Sequence, residues 1–281
     1  MIAGYLQLGM GIMAWLSELL AQLNWVYVVS GLAVGFIVGM TGVGGGSLMT
    51  PILARLGVGL PTAVGTDLLY AAITKSGGIY VHQKHKNIDW DITGRLAMGS
   101  LPAAALTILV LHLSHADPST ITKLMKFTLG IALVITALAI LCKNRLLAFA
   151  QQHASDWLDL PPRTLLWATI GVGVLLGVIV TLSSIGAGAL GTVALFLLYP
   201  RMPTARLVGT EIAHAVPLTL LAGLGHAGLG NLNWALLLNL LCGSLPGIYV
   251  GSHLTGAVPE KVLRPCLAVM LGIVGCMLVF K

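Results

Sequence analysis

The sequence predicts an all-α, polytopic transmembrane helix bundle. It reads as two homologous repeats in inverted arrangement, each with a glycine-broken or re-entrant helix. Three observations predict this: a composition that water cannot solvate, apolar runs of helical membrane length, and a set of motifs that occurs twice in one register.

Of the 281 residues, 57% are hydrophobic and 9% charged, and the mean hydropathy is +0.95. A soluble domain carries about 25% charged residues. Most of this surface must therefore face lipid, where every backbone polar group has to be satisfied internally and only helices or closed barrels span. The apolar runs fall at roughly 25–41, 47–56, 62–82, 90–112, 122–142, 164–184, 188–199, 205–226, 233–252 and 262–280. Most approach the ~20 residues of a spanning helix, twice the length of a barrel strand. The runs 47–56 and 188–199 are too short to cross.

The doubling is explicit. Gly65-Thr66-Asp67 returns as Gly209-Thr210-Glu211, Asn87-Ile88-Asp89-Trp90 as Asn231-Leu232-Asn233-Trp234, and Gly99-Ser100-Leu101-Pro102 as Gly243-Ser244-Leu245-Pro246, all at an offset of 144. An apolar chain of two equivalent halves points to a transporter with its site where the halves meet. The chain divides into an apolar or interfacial N-terminal helix at 1–22, a first membrane repeat at 23–142, a polar linker at 143–163 and a second repeat at 164–281. Nothing in 1–22 has the cleavage site of a signal peptide.

Each short run follows a glycine-rich break: Gly42-Val43-Gly44-Gly45-Gly46-Ser47 in the first half, Ser183-Ser184-Ile185-Gly186-Ala187-Gly188 in the second. Gly42 and Gly44 match Gly186 and Gly188 at the same offset of 144. A broken helix exposes backbone N–H groups with the positive dipole end behind them, and glycine lets a ligand approach closely. Ser47, Thr50, Ser183, Ser184 and Thr192 add hydroxyl donors. The expectation is a small-anion site at the two breaks, joined by Thr66 and Thr210; a packing kink is the competing reading.

Three charged residues lie inside apolar runs: Asp67, Lys75 and Glu211. Each costs about 2.5–3.5 kcal/mol at mid-membrane on insertion scales. Asp67 and Glu211 are repeat equivalents and read either as proton carriers or as caps of the broken helices. Lys75, beside Ser76, has Thr219 as its counterpart and is a candidate anion contact. His214, one turn after Glu211, is a further polar partner. No HExxH, Cys/His cluster, Walker A motif or nucleophile–base pair is present, so no cofactor or metal is expected and the chain reads as a non-enzyme.

The net charge of +6 is explained by loops on one membrane face, not by nucleic acid. With an odd number of crossings per half plus one re-entrant pair, Lys84, Lys86, Arg95, Lys143, Arg145, Arg163, Arg201, Arg206, Lys261 and Arg264 face the cytoplasm. Arg55, Lys123, Lys126 and Lys281 face out. This swap between halves is what opposite insertion predicts. The four cysteines read as small packing residues.

The run Gly35-x3-Gly39-x2-Gly42-Val43-Gly44-Gly45-Gly46-Ser47-x3-Pro51, followed by Ala63-Val64-Gly65-Thr66, resembles the signature of the sulfite exporter TauE/SafE family, small bacterial inner-membrane permeases with two related halves. The likeness covers about residues 25 to 280; the second break lacks the triple glycine. The resemblance implies transport of a sulfur-containing anion such as sulfite, thiosulfate, sulfoacetate or another organosulfonate. The expected function is thus a multi-pass secondary transporter of the cell inner membrane, proton-coupled, with the lipid bilayer and a small anion as partners and a homodimer as the protein assembly to consider. A passive anion channel of the same architecture is the main alternative; a membrane enzyme and a subunit of a larger complex are weaker ones.

Overall fold

The structure is a computed structural model that describes residues 23–41, 46–114, 117–152, 161–254 and 260–280. The expected N-terminal helix at 1–22 and the residues Gly42 to Gly45 of the first break lie outside the described residues. Ten helices occupy the rest: α1 Trp25–Thr41, α2 Gly46–Arg55, α3 Leu60–Lys84, α4 Trp90–Leu113, α5 Pro118–Gln152, α6 Pro162–Ser183, α7 Ala189–Leu198, α8 Thr204–Gly228, α9 Trp234–His253 and α10 Glu260–Phe280. Five of them, α4, the Pro118–Cys142 part of α5, α6, α8 and α9, are long and apolar enough to cross a membrane. The chain is a multi-pass all-α membrane bundle. Its linker is less of a break than its polarity implies, because α5 continues through it to Gln152.

Local chemistry starts the equivalent helices in the same way. Asp89 caps α4 by accepting from the Ile92 amide (3.2 Å), and Asn233 caps α9 by accepting from the Leu236 amide (2.9 Å). Before each cap lies the same turn: the Asn87 amide donates to the His82 carbonyl and the Asn231 amide to the His226 carbonyl, both at 2.9 Å. Lys86 and Gly230 hold the same left-handed position in it, at φ 55° and 75°. Pro61 and Pro162 sit in the first turn of α3 and α6, where a missing N–H costs nothing.

The repeated motifs join the halves. An added Cβ at Gly65 would overlap the Asn231 carbonyl, and one at Gly209 would overlap the Asn87 carbonyl. The Asn233 amide donates to Thr66 Oγ1 (3.3 Å), and reciprocally the Asp89 amide donates to Thr210 Oγ1 (2.9 Å). Gly243 rests on the α1 backbone at Val28, and Gly99 on the α6 backbone at Ile170. Each motif of one half thus meets its complement in the other, twice over.

These contacts fix helix directions. The start of α3 meets the end of α8 and the start of α8 meets the end of α3, so these equivalent helices run antiparallel. Gly130 of α5 faces Gly275 and Val279 of α10, while Gly272 faces Ala137, again antiparallel. In contrast α1 runs parallel to α9, with Gly31 on Leu240 and Gly35 on Ser244. The equivalent pair α6 and α4 repeats it, with Gly173 on Leu96 and Gly177 on Ser100. Here the register is corrected. Gly31 corresponds to Gly173 and Gly35 to Gly177, an offset of 142, not 144. Thr41 and Ser183, which end α1 and α6, keep it. Carried into the breaks, it aligns Gly44 with Gly186, Gly46 with Gly188 and Thr50 with Thr192. The second half regains two residues before α8.

After its break α7 folds back along α6, and Tyr199 at its end meets Thr169 near the start of α6 (2.7 Å). Arg206 at the start of α8 pairs with Asp89 at 2.8 Å, so the basic end of α3–α4 and that of α7–α8 share one side. The surface is apolar, with Trp25, Leu106, Trp167, Leu175 and Tyr249 exposed, and the largely apolar interior encloses a polar cluster that includes Asp67, Glu211 and His214.

Gly243→Ala is expected to destabilise the bundle by about 1–3 kcal/mol, because neither backbone at the α1–α9 crossing can move aside without the other. A lowered melting temperature of the detergent-purified protein checks it; an unchanged one would mean that the crossing tolerates separation.

Candidate functional site

The polar interior lies where α3 and α8 cross between the two short helices. Asp67 stands on α3 and Glu211 at the equivalent point of α8. Each faces the short helix of its own half. Thr50 of α2 donates to Asp67 Oδ2 at 2.5 Å. The Glu211 side chain lies on Gly191 of α7, where an added Cβ would stand 2.9 Å from both Cγ and Oε1. Gly191 makes room for the extra methylene of a glutamate; its counterpart beside the shorter aspartate is Met49. Asp67 Oδ1 and Glu211 Oε1 have no hydrogen-bond partner. Asp67 is held at α2 by both the hydroxyl and the backbone of Thr50.

The second break is fully described. The Ser184 residue, at φ 58°, ends α6 in a left-handed turn, a conformation that costs a non-glycine residue about 1–2 kcal/mol. Ser183 Oγ donates to the Ile179 carbonyl (2.6 Å) and accepts from the Ile185 amide (3.2 Å), so it is committed to shaping the turn. Gly186 and Gly188 take φ of 119° and 151°, where a side chain would be strained. Into this turn reaches Lys75 of α3, which donates to the Ala187 carbonyl. The lysine is 8% exposed and makes no ion pair within 4 Å, the Arg206–Asp89 pair being the one formed among the described residues.

Two further pairs repeat across the halves. His214 Nε2 of α8 and Ser100 Oγ of α4 are 2.7 Å apart, both fully buried. Tyr70 of α3 and Ser244 of α9 hold the equivalent positions, the phenol beside the serine. Tyr70 faces Ser244 and Asp67 faces Ser184 without full hydrogen-bond geometry, and His214 Nδ1 is without a partner. Buried polar groups are normally satisfied. The unmet polar groups gather at this crossing, which makes it the candidate site.

The sequence-predicted residues divide. Asp67, Lys75, Glu211, His214, Ser184, Gly186 and Gly188 come together here. Thr66 and Thr210 are buried nearby, with hydroxyls used between the halves. Ser76 is a correction: it is exposed, and its hydroxyl donates to the Ala72 carbonyl at 2.7 Å. Its spacing from Lys75 turns it to the opposite side of α3. Lys75 is placed at the second break, on the turn that precedes the other half's short helix. Gly46 and Ser47 form the first turn of α2. Ser100, Ser244 and Tyr70 escaped the sequence reading as site residues. The identical GSLP motifs carried the signal for the two serines, and the offset of 144 from His214 carried it for Tyr70. An apolar groove of about 540 Å³, lined by Met98, Pro102, Leu106, Ile170 and Val174, lies apart from these groups.

The comparisons agree with this architecture. The model of the sulfite exporter TauE/SafE family matches residues 27–278. The chain belongs to that family. It is a membrane transporter, not an enzyme. It is 40% identical over 247 residues to "Probable membrane transporter protein YjnA" of Bacillus subtilis, covering 88% of this chain and 95% of that protein. It is 28% identical over 251 residues to YdhB of the same organism, described in the same words, covering 88% and 96%. A third such protein, MJ0441 of Methanocaldococcus jannaschii, is 26% identical over 264 residues, covering 88% and 92%. No solved structure gives a significant match.

Thr50→Val keeps the shape of the side chain and removes the donor to Asp67. The expected loss is about 1–3 kcal/mol of stability, the cost of a buried carboxyl left without its partner. Thermal unfolding in detergent reads it, and no change would mean that the Asp67 carboxyl has solvent access.

Proposed function

We propose that the protein is a secondary transporter that moves a small sulfur-containing anion across the cell inner membrane. Sulfite, thiosulfate, sulfoacetate and other organosulfonates form the substrate class that the family name and the site chemistry support. The observation that carries the reading is Lys75, a buried ammonium without an ion pair, held by a backbone carbonyl in a glycine-rich break among unpaired donors. On this reading the anion takes Lys75 as its counter-charge. Ser184, His214 and the amides of the two breaks, Gly42 to Ser47 and Ser183 to Gly188, supply hydrogen bonds. Asp67 and Glu211 carry the coupling protons.

The halves are proposed to insert in opposite senses. The antiparallel pairing of α3 with α8 and of α5 with α10 supports this, as does the meeting of Arg206 with Asp89 at one end. The return of α7 along α6 supports a re-entrant pair that starts and ends on one face. A site between inverted halves can open to either side by a rocking of one half on the other.

In proteoliposomes, sulfite, isethionate, sulfoacetate and thiosulfate offered with and without a pH gradient test the transport reading. Uphill accumulation that collapses with a protonophore is expected. Equilibration without accumulation would mean a passive channel, and no uptake of any of the four would reject the substrate class. Lys75→Met is expected to weaken anion binding by about 1–3 kcal/mol in isothermal titration. For topology, Lys84→Cys and Gly228→Cys, in a background without native cysteines, are expected to react with an impermeant thiol reagent from opposite faces; labelling from one face would sink the inverted arrangement.

A further inference from the structure

Lys75 and Glu211 come from different halves but meet on the same short stretch of chain. Lys75 donates to the carbonyl of Ala187, and Glu211 rests on Gly191 one turn later. The Gly191 amide closes back onto the Gly186 carbonyl at 3.0 Å, so the two contact points belong to one rigid turn. Asp67 is differently placed. It precedes Lys75 by eight residues on one helix, a rise of about 12 Å, its Oδ2 is already held by Thr50, and it meets the turn at Ser184, before the Ala187 carbonyl that holds Lys75.

We propose that Lys75 and Glu211 form an exchangeable pair on the α6–α7 turn, in which a monovalent sulfur oxyanion replaces the Glu211 carboxylate as the counter-ion of Lys75 and Glu211 takes up one proton as the anion binds. The proposal rests on the anion-transport reading above and deepens it to a charge class and a stoichiometry. The argument is one of charge count in an interior that tolerates no surplus. The exchange is counted between Lys75 and Glu211 alone, with Asp67, held by Thr50, keeping one protonation state throughout. Adding a monoanion would leave one uncompensated negative charge in low dielectric, which the site removes by protonating the acid that has lost its partner. The Glu211 carboxylate becomes a neutral carboxylic acid, the proton comes from solvent on the open side, and the net charge of the loaded site equals that of the empty one. A dianion leaves a surplus charge even then. The anion and its proton would cross together as a neutral pair.

The other groups facing this turn are few. Besides Asp67, the titratable groups of α3 and of the helices packed on it that have buried atoms are Tyr70, His82, whose Nδ1 lies against Gly209, His214 and His226. His226 Nε2 meets the Thr181 carbonyl at 2.9 Å and His214 Nε2 meets Ser100. Basic groups such as Arg55, Lys123 and Arg206 stand at helix ends. His214 is the alternative proton acceptor that the experiment must separate from Glu211.

Isothermal titration of the full-length purified protein with methanesulfonate and with isethionate, in two buffers of different ionisation enthalpy, counts protons directly. About one proton taken up per anion bound is expected for the wild type. Glu211→Gln is expected to bind the anion without proton uptake, and Glu211→Asp to restore the uptake. Thiosulfate is expected to bind about tenfold or more weakly than the monoanions. Anion binding by the wild type with no buffer dependence overturns the proposal, and this reading needs no variant to fold. Uptake that persists in Glu211→Gln overturns it too, by assigning the proton to Asp67 or His214. Failure of every sulfur anion to bind would instead bring down the transport reading on which the proposal rests.

Discussion

In lipid, two helix backbones come together only where side chains are absent, since hydrophobic burial gives no drive for helices already surrounded by hydrocarbon. The molecule depends on this constraint at each contact between its halves. Gly31 and Gly35 admit α9, Gly173 and Gly177 admit α4, and Gly65 and Gly209 admit the turn that precedes the other half's cap. Because each contact has its reciprocal, neither half can close its surface alone. The polar groups then follow. Thr66 and Thr210 are buried by the approach that their glycine neighbours permit, and each takes the free amide of the opposite cap residue.

The same crossing buries charge. Asp67, Lys75 and Glu211 would each cost about 2.5–3.5 kcal/mol in hydrocarbon, and a fold that needed only stability would replace them with apolar side chains. The caps and turns of the framework are paired, while Thr136 Oγ1, His82 Nδ1 and His226 Nδ1 lack partners. The other unpaired atoms concentrate at the acids, Tyr70, Ser184, His214 and Ser244. On the proposed reading a ligand offsets the cost of that centre.

Much of this was legible in the sequence, because lipid restricts both helix length and the residues allowed at helix contacts. The ten apolar runs correspond to the ten helices to within a few residues, apart from the extension of α5 through the linker. The doubled motifs were legible as a repeat, and the structure shows that they also form the inter-half contacts. What remained hidden depends on depth and direction around a helix. The polar residues of α3, among them Thr66, Asp67, Thr74, Lys75 and Ser76, are spread round its axis, so no single polar face reveals that Lys75 points inward and Ser76 outward. The offset of 142 in α1 and α6 was invisible because the glycines near each break give several plausible alignments; backbone contacts decide among them. That Lys75 would engage the opposite half's break follows only from the antiparallel crossing of α3 and α8.

The differences between the halves are as informative as the likenesses. Positions that build the framework repeat almost unchanged: Gly65 and Gly209, Thr66 and Thr210, Gly99 and Gly243, Ser100 and Ser244, Asn87 and Asn231. Positions that line the centre diverge: Asp67 against Glu211, Tyr70 against His214, Lys75 against Thr219, Met49 against Gly191. Alternating access needs two conformations close in free energy, since a ligand can shift a balance only by its differential affinity for the two states. In the proposed arrangement a symmetric framework meets that need, because exchanging the conformations of the halves yields an inward-open state built from the same contacts as the outward-open one. A symmetric lining would serve the ligand badly, since two lysines would leave a surplus charge whenever the site stood empty. One ammonium, reaching across the pseudo-twofold crossing to the other half's turn, gives a single counter-charge that both halves share in either conformation.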